Sequence, residues 1–178
     1  INSLGIPLIN FLCSKQGIRD MEIYLQNTNP TIIEILLYLL NKEGIKILMT
    51  HKVGNYFIQS LIKIAQYNQI KLITELISSE FVDIAKDCSG TYALQTLLEK
   101  IDKLNTDELK NLIVTSIRGK EYEMAVNSNS TYVLQKIIEI VPDTNRVDIN
   151  NLIIEKIVEF STKSDCVFII EKFISNIT

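Results

Sequence analysis

The sequence predicts an all-α protein in which about five three-helix repeats stack into a superhelical solenoid, as a single repeat domain over residues 1–178. Three observations support this prediction. A short motif returns at near-constant spacing, apolar residues after each motif recur at steps of three and four, and the few Gly and Pro residues mark no linker. Units this thin cannot bury their own apolar faces, so they must stack on their neighbours.

The recurring motif places a planar side chain three residues before an amide or a carboxylate. In the clearest copies, 36 residues separate Gln59 from Gln95 and 40 separate Gln95 from Gln135. The five copies are Gly17–Glu22, Gly54–Gln59, Gly90–Gln95, Ser130–Gln135 and Cys166–Glu171. Because the repeated side chains are polar or flat, we expect the motif to contribute to binding as well as to packing.

Each motif is predicted to open an amphipathic helix, since apolar residues follow it at helical spacing. Four units share one template for the buried face: Ile58, Leu61, Ile62 and Ala65; Leu94, Leu97, Leu98 and Ile101; Leu134, Ile137, Ile138 and Val141; and Ile170, Phe173, Ile174 and Ile177. The first unit follows the template more loosely, through Met21, Tyr24 and Leu25.

Two further helical segments complete each unit. The second helix is indicated by Ile70, Ile73 and Ile77 in one unit and by residues 109–117 in the next. Thr106 precedes the latter segment and is predicted to cap it with its hydroxyl group, with carboxylates in the first turn. A short third segment leads into the next motif at 45–50, 81–86 and 122–127.

The motif side chains are predicted to face away from the core. At about 100° per residue, Asn55, Tyr56 and Gln59 fall on one side of their helix, away from Ile58 and Leu61. Stacked units would align these residues into a ladder along one surface. A planar side chain alternating with an amide suits a single strand of bases, because the ring stacks on base faces and the amide bonds a base edge.

Composition argues against several other functions. The net charge of −3 and the pI near 5.3 are unusual for a nucleic-acid binder, although a repeat protein can gather its cations on one face. Cys13, Cys88 and Cys166 lack the spacing of a zinc site and are interpreted as packed thiols of an intracellular protein. No metal, cofactor, catalytic activity or membrane span is predicted.

The motifs resemble those of the Pumilio/FBF (PUF) family of single-stranded RNA-binding proteins. Residues 48–59 are very similar to the PUF repeat signature, and residues 14–19 are similar to the opening of a first repeat. The resemblance extends from about Pro7 to Ser175. A complete PUF domain has eight repeats, so the resemblance implies an N-terminal portion of such a domain or a shortened variant.

The resemblance also implies a set of RNA contacts on the concave face, one base per repeat. The residues implied to bind base edges are Glu22, Asn55, Gln59, Thr91, Gln95, Thr131, Gln135 and Glu171. The residues implied to stack on bases are Arg19, Tyr56, Tyr92, Tyr132 and Phe168. The pair Asn55 and Gln59 matches the family's combination for uracil. The Thr–Gln pairs leave uracil and adenine open, and the first unit suggests a purine.

Three functions remain open at this stage. By resemblance, the chain would be a non-enzymatic, cytoplasmic regulator that binds single-stranded RNA in untranslated regions of messenger RNA, with regulatory proteins as candidate partners on the convex face. A PUF-like ribosome-biogenesis factor would instead be nucleolar and would contact structured RNA mainly through phosphates. An armadillo- or HEAT-like scaffold would bind proteins on its acidic surface.

Overall fold

The structure, a computed structural model, describes residues 5–26 and 29–177, with the side chain of Gln26 outside the description. Every regular element in these residues is helical, so the all-α prediction is confirmed. The α-helices are α1 (Gly5–Leu12), α2 (Lys15–Gln26), α3 (Pro30–Thr50), α4 (Gly54–Ile64), α5 (Tyr67–Ile77), α6 (Phe81–Lys86), α7 (Gly90–Leu104), α8 (Asp107–Ile117), α9 (Glu121–Ala125), α10 (Ser130–Ile140), α11 (Val147–Glu155), α12 (Ile157–Ser161) and α13 (Ser164–Ser175).

The helices that carry the motifs form one layer. Helices α2, α4, α7, α10 and α13 stack side by side in chain order, each packing on the next. Behind them lie the second helices, among which α5 packs on α3 and on α8. Helix α3 combines a second helix with the third segment of the next unit, and the two parts meet at Asn41, where φ is 50°.

The predicted core is confirmed in the second, third and fourth units, where all twelve template residues are buried. It is wrong in part at the two ends. Ile174 in α13 and Ile177 just after it are 61% and 56% exposed, and Tyr24 in α2 is also exposed. The corresponding residues of the fourth unit, Ile138 in α10 and Val141 at its C-cap, are buried because α13 covers that side of α10. Within the described residues, no further motif helix covers α13 in this way.

A small residue at the start of each motif lets the motif helix approach the preceding helix closely. A Cβ atom on Gly17 would overlap the carbonyl oxygen of Phe11, and one on Gly90 would overlap that of Ile84, in each case six residues earlier. The fourth unit has Ser130 in this place, and its hydroxyl donates a hydrogen bond to Met124 O at 2.9 Å. The close approach fixes where each motif begins relative to the core.

The residue three places before this small residue caps the motif helix. His51 Nδ1 accepts from the backbone N–H groups of Val53 and Gly54. The carboxylate of Asp87 and the amide oxygen of Asn127 do the same in the next two units, and Ser14 accepts from Gly17 N–H. These side chains satisfy first-turn donors that would otherwise lack partners.

The predicted cap at Thr106 is wrong. Its backbone occupies the N-cap position of α8, but its hydroxyl group is buried and has no hydrogen-bond partner in the described part of the chain. The first-turn carboxylate of Glu108 instead accepts hydrogen bonds from Tyr67 and Lys71 on α5. The second helices of neighbouring units are therefore tied together at this point.

Ion pairs link consecutive units on the second and third helices. Each joins a lysine of one unit to a glutamate of the next: Lys46 with Glu80, Lys71 with Glu108 and Lys86 with Glu123. The hydrogen bond from the lysine ammonium lowers the pKa of each carboxyl group and raises the pKa of each lysine. These lysines are consequently neutralised by neighbours within the fold.

The lowered carboxyl pKa values predict a pH dependence of stability. A carboxyl group whose pKa is lower in the folded state stabilises the fold above the ordinary glutamate pKa of about 4.3, and this contribution is lost as the pH falls through the folded value. Replacing Glu80, Glu108 and Glu123 with Gln should reduce the fall in melting temperature between neutral and acidic pH, measured by circular dichroism. The control replaces Glu34 and Glu99, which make no ion pair in the described residues. An equal acid-induced fall in the wild type and the triple variant would contradict the prediction.

The close helix approach predicts a second stability effect. Gly90→Ala should lower the free energy of unfolding by about 1–3 kcal/mol, because the added Cβ meets rigid backbone and forces the helices apart. Gly54→Ala is the matched control, since its Cβ would first meet a movable methyl group of Leu48 at 3.0 Å. Urea denaturation of both variants measures the difference. Equal losses would show that the approach at Gly90 is not the tighter of the two.

Candidate nucleic-acid interface

Three tyrosine rings stand in a row on the motif layer. Tyr56, Tyr92 and Tyr132 occupy the same place in the first turn of α4, α7 and α10, and they are 61%, 61% and 55% exposed. Because the three helices stack side by side in chain order, the rings project from the same surface one after another. Arg19 on α2 and Phe168 on α13 are also exposed and hold the corresponding motif positions. We call these five residues and the surface that carries them the ladder surface.

A cavity opens between each pair of neighbours from Arg19 to Tyr132. The first slot lies between Arg19 and Tyr56, measures about 320 Å³ and is also lined by Lys15, Ile18, Glu22 and Val53. The second slot lies between Tyr56 and Tyr92, measures about 350 Å³ and is lined by Lys52, Asn55, Gln59 and Ser89. The third slot lies between Tyr92 and Tyr132, measures about 350 Å³ and is lined by Cys88, Thr91, Gln95 and Asn129. The motif residues of neighbouring units thus share a slot.

The first polar residue of each motif is more buried than the helical projection predicts. Asn55, Thr91 and Thr131 are buried, whereas the projection placed them away from the core with the tyrosines. Their side of the helix lies against the loop and motif helix of the neighbouring unit. Thr91 Oγ1 donates to Asn129 O at 3.1 Å, and Thr131 Oγ1 donates to Asp165 O at 3.3 Å. The projection was wrong here because it considers each helix alone.

Each glutamine of the motif is oriented by this first polar residue. Gln59 Nε2 donates to Asn55 Oδ1 at 2.8 Å, Gln95 Nε2 donates to Thr91 Oγ1 at 3.1 Å, and Gln135 Nε2 lies 3.5 Å from Thr131 Oγ1. The amide hydrogens of Asn55 go to the carbonyls of His51 and Lys52, and the hydroxyl hydrogens of the threonines go to carbonyls of the next unit. A carbonyl only accepts, so the partner atom left for each glutamine is an acceptor. Asn and Thr therefore impose the same orientation on the glutamine amide.

The remaining predicted positions lie at the two ends of the ladder surface. Glu22 is half-buried and lines the first slot together with Arg19, so the structure brings these two predicted residues together with Tyr56. Ile18, the apolar residue before Arg19, is buried and forms part of the wall of the same slot. At the other end, Glu171 is exposed on α13, and Val167 takes the place of the polar orienting residue.

Two lysines that the sequence analysis did not single out line the slots. Lys15 lines the first slot and Lys52 the second, each two residues before the glycine of a motif. That fixed position before the motif could have identified them. Together with Arg19 they place cations on the ladder surface, while Lys46, Lys71 and Lys86 are paired with carboxylates elsewhere.

Two further kinds of feature, a metal-binding cluster and a membrane-spanning helix, are absent from the described residues. Among residues 5–26 and 29–177, no three His, Cys, Asp or Glu side chains come together as a metal site. Within the same residues, no helix combines the length and apolar character needed to cross a bilayer. His51 and Asp87, the residues that could suggest acid–base or nucleophilic chemistry, cap helices.

The fold and the ladder surface define a helical repeat protein with a regularly spaced series of slots. A family model described as the Pumilio-family RNA binding repeat matches residues 45–78, 80–114 and 122–149, which together make up just over half of the chain. The chain belongs to this family. A comparison of the sequence with curated proteins found no match.

Solved structures of the family share the fold. The Puf4 RNA-binding domain bound to the HO endonuclease RNA 3′ UTR recognition sequence is 25% identical, with a TM-score of 0.85 over 94% of this chain and 51% of that one. The RNA-binding domain of yeast Puf5p bound to SMX2 RNA is 20% identical, with a TM-score of 0.85 over 96% of this chain and 48% of that one. PUF-8 in complex with PBE-RNA is 20% identical, with a TM-score of 0.82 over 96% and 49%. The chain spans about half the length of these domains.

Proposed function

We propose that the chain binds single-stranded RNA sequence-selectively on the ladder surface, with one base in each slot. The observation that carries this proposal is the row of exposed tyrosines separated by cavities, each containing a glutamine held in the same orientation. Large flat rings that remain exposed on successive motif helices suit a strand of bases, because every base offers a face for stacking.

The second slot illustrates how a base would be read. A base inserted between Tyr56 and Tyr92 stacks on the rings and presents its edge to Gln59 and Asn55. Gln59 offers the acceptor Oε1 and one remaining Nε2 hydrogen, a pair that complements the N3–H and O4 groups of uracil. The third slot offers the same pair from Gln95, so uracil fits there, and adenine remains the alternative. In the first slot, the carboxylate of Glu22 only accepts, which suits the N1–H and N2–H groups of guanine.

The cations of the ladder surface would form ion pairs with phosphates of the RNA backbone. Lys15 and Lys52 line the first and second slots, where an ammonium group can pair with a phosphate next to the bound base. The small number of such lysines favours reading of bases over binding by phosphate contacts alone. It also disfavours the ribosome-biogenesis alternative, which requires many phosphate contacts, and the exposed tyrosine row is not explained by the scaffold alternative.

The biological role that fits is post-transcriptional regulation of messenger RNA in the cytoplasm. The Puf4 complex, at 25% identity, contains a recognition sequence from a 3′ untranslated region, which supports this proposal. Regulatory proteins would bind the face opposite the ladder surface. No catalysis is part of the proposal, because the RNA is held only by stacking, hydrogen bonds and ion pairs.

Removal of a tyrosine ring tests the stacking role. Replacing Tyr56, Tyr92 or Tyr132 with Ala should each weaken binding of a labelled U- and A-rich single-stranded RNA by about 1–3 kcal/mol, because a stacking surface is lost. Fluorescence anisotropy measures the dissociation constants. Tyr38→Ala is the matched control, since Tyr38 is exposed on α3 outside the ladder surface. Equal affinity of all folded variants would rule out stacking on these rings.

A change of edge chemistry tests base reading in the second slot. The double variant Asn55→Ser and Gln59→Glu should shift the preference from uracil toward guanine, because the introduced carboxylate can only accept hydrogen bonds. The introduced serine hydroxyl can donate to that carboxylate, whereas Asn55 Oδ1 cannot. Binding to four RNAs that differ only at this base measures the preference. The third slot should keep its preference in the same variant and serves as the internal control. An unchanged preference in the second slot would show that its base is read elsewhere.

A further inference from the structure

Two hydroxyl groups reach the edge-reading residues from the following repeat. Ser60 Oγ on α4 donates to Glu22 Oε1 on α2 at 2.6 Å. Thr96 Oγ1 on α7 lies 3.3 Å from Gln59 Oε1 on α4. In both cases the hydroxyl belongs to the residue directly after the edge-reading position of its own unit. One sequence position therefore makes the same type of contact at two successive interfaces.

The contact at Gln59 is determined by a chain of hydrogen bonds with only one consistent direction. Both amide hydrogens of Asn55 go to main-chain carbonyls, at 2.9 and 3.0 Å, so its Oδ1 faces Gln59. Gln59 must then present Nε2 to Asn55, at 2.8 Å, and its Oε1 points the other way. Thr96 meets this oxygen with a hydroxyl donor. Gln59 is consequently held at both ends of its amide.

Gln59 and Glu22 can still accept hydrogen bonds from a base when these contacts are made. The single hydroxyl hydrogen of Thr96 is shared between Gln59 Oε1 and Tyr92 O, which lies 3.0 Å away in its own helix. An amide oxygen has two lone pairs, so one remains for a donor on the base. At Glu22, Ser60 donates to one carboxylate oxygen, and within residues 5–26 and 29–177 no hydrogen bond occupies the second, which can face the first slot. The hydroxyl groups thus limit rotation of the Glu22 and Gln59 side chains and leave acceptor sites open to a base.

The later units lack this support. Lys136 and Lys172 occupy the position of Ser60 and Thr96, and both turn to Glu139, at 3.1 and 3.3 Å. Gln95 is held at its Nε2 end by Thr91, and Gln135 more loosely by Thr131. The four interfaces between successive motif helices therefore form two classes. At the first two, a hydroxyl group contacts the edge-reading residue of the preceding unit; at the next two, a lysine in the same position points toward Glu139 instead.

We propose that Ser60 and Thr96 are positioning residues that set the base selectivity of the preceding repeat, by fixing the rotation of Glu22 and Gln59 from the neighbouring helix. This proposal rests on the proposed RNA-binding function and adds to it a determinant that lies outside the repeat doing the reading. It follows that the first and second slots discriminate between bases more sharply than the third. Selectivity is then a property of pairs of adjacent repeats.

Removal of the hydroxyl tests the proposal in the second slot. Thr96→Val keeps the shape of the side chain, and it should reduce discrimination between the preferred base and the other three by about 3- to 10-fold, as expected for one lost hydrogen bond. The measurement uses anisotropy with four RNAs that differ only at the second-slot base. Thr96→Ser keeps a hydroxyl and should keep the selectivity. Ser116→Ala removes a hydroxyl on α8 that bonds Leu112 O away from the ladder surface, and it controls for loss of stability.

Introduction of a hydroxyl gives an independent test in the third slot. Lys136→Thr should sharpen discrimination by Gln95, whereas Lys136→Val, which also removes the ion pair to Glu139 but adds no hydroxyl, should not. A gain confined to the threonine variant supports the proposal even if Thr96→Val proves unstable. Equal third-slot selectivity in the two Lys136 variants, with unchanged second-slot selectivity in folded Thr96→Val, would overturn it.

The outcomes separate this proposal from the function on which it rests. If the wild-type chain discriminates between bases and the tyrosine variants lose affinity, but the Thr96 and Lys136 variants behave as their controls, only the positioning role is overturned. If the folded wild-type chain binds none of the four RNAs, both the RNA-binding proposal and the positioning role are overturned.

Discussion

The side-by-side stacking of the motif helices is the interaction on which the rest of the structure depends. Burial of apolar side chains between α4, α7 and α10 holds the layer together. Close approach at the first motif residue, as at Gly90 and Ser130, fixes the position of the motif helix against the short helix before it, α6 or α9. Since neighbours always meet in the same way, a residue at a given motif position returns at a regular place on the surface. The tyrosine row is the result of this regularity.

A polar seam runs between the buried layer and the exposed rings. There, main-chain carbonyls accept the hydrogens of Asn55 or of a threonine hydroxyl. The oxygen of that side chain then accepts a hydrogen bond from the glutamine that faces the slot. The seam explains how different first residues produce the same glutamine orientation. On the second and third helices, lysines such as Lys86 form ion pairs with glutamates of the next unit, here Glu123, which neutralise their charge. A chain with a net charge of −3 can therefore still present Lys15, Arg19 and Lys52 beside the slots.

The fold and the tyrosine row could be predicted because both depend on residues that repeat along one chain segment. The helical period identified the buried faces of the middle units, and equal motif positions identified Tyr56, Tyr92 and Tyr132. The burial of Thr91 could not be predicted, because it arises from contact with a neighbouring unit that a single-helix projection does not contain. The link from Thr96 to Gln59 spans 37 residues and depends on the stacking register. The exposure of Ile174 likewise depends on what packs beside its helix.

The central claim is that the slots between successive ladder residues each take one base in order. Selection from a random pool of single-stranded RNA by the wild-type chain tests it most directly. We expect enrichment of one short element in which a uracil, for the second slot, lies between a purine for the first slot and a uracil or adenine for the third. Binding without any enriched element, or enrichment of a folded RNA shape in place of a linear sequence, would contradict it.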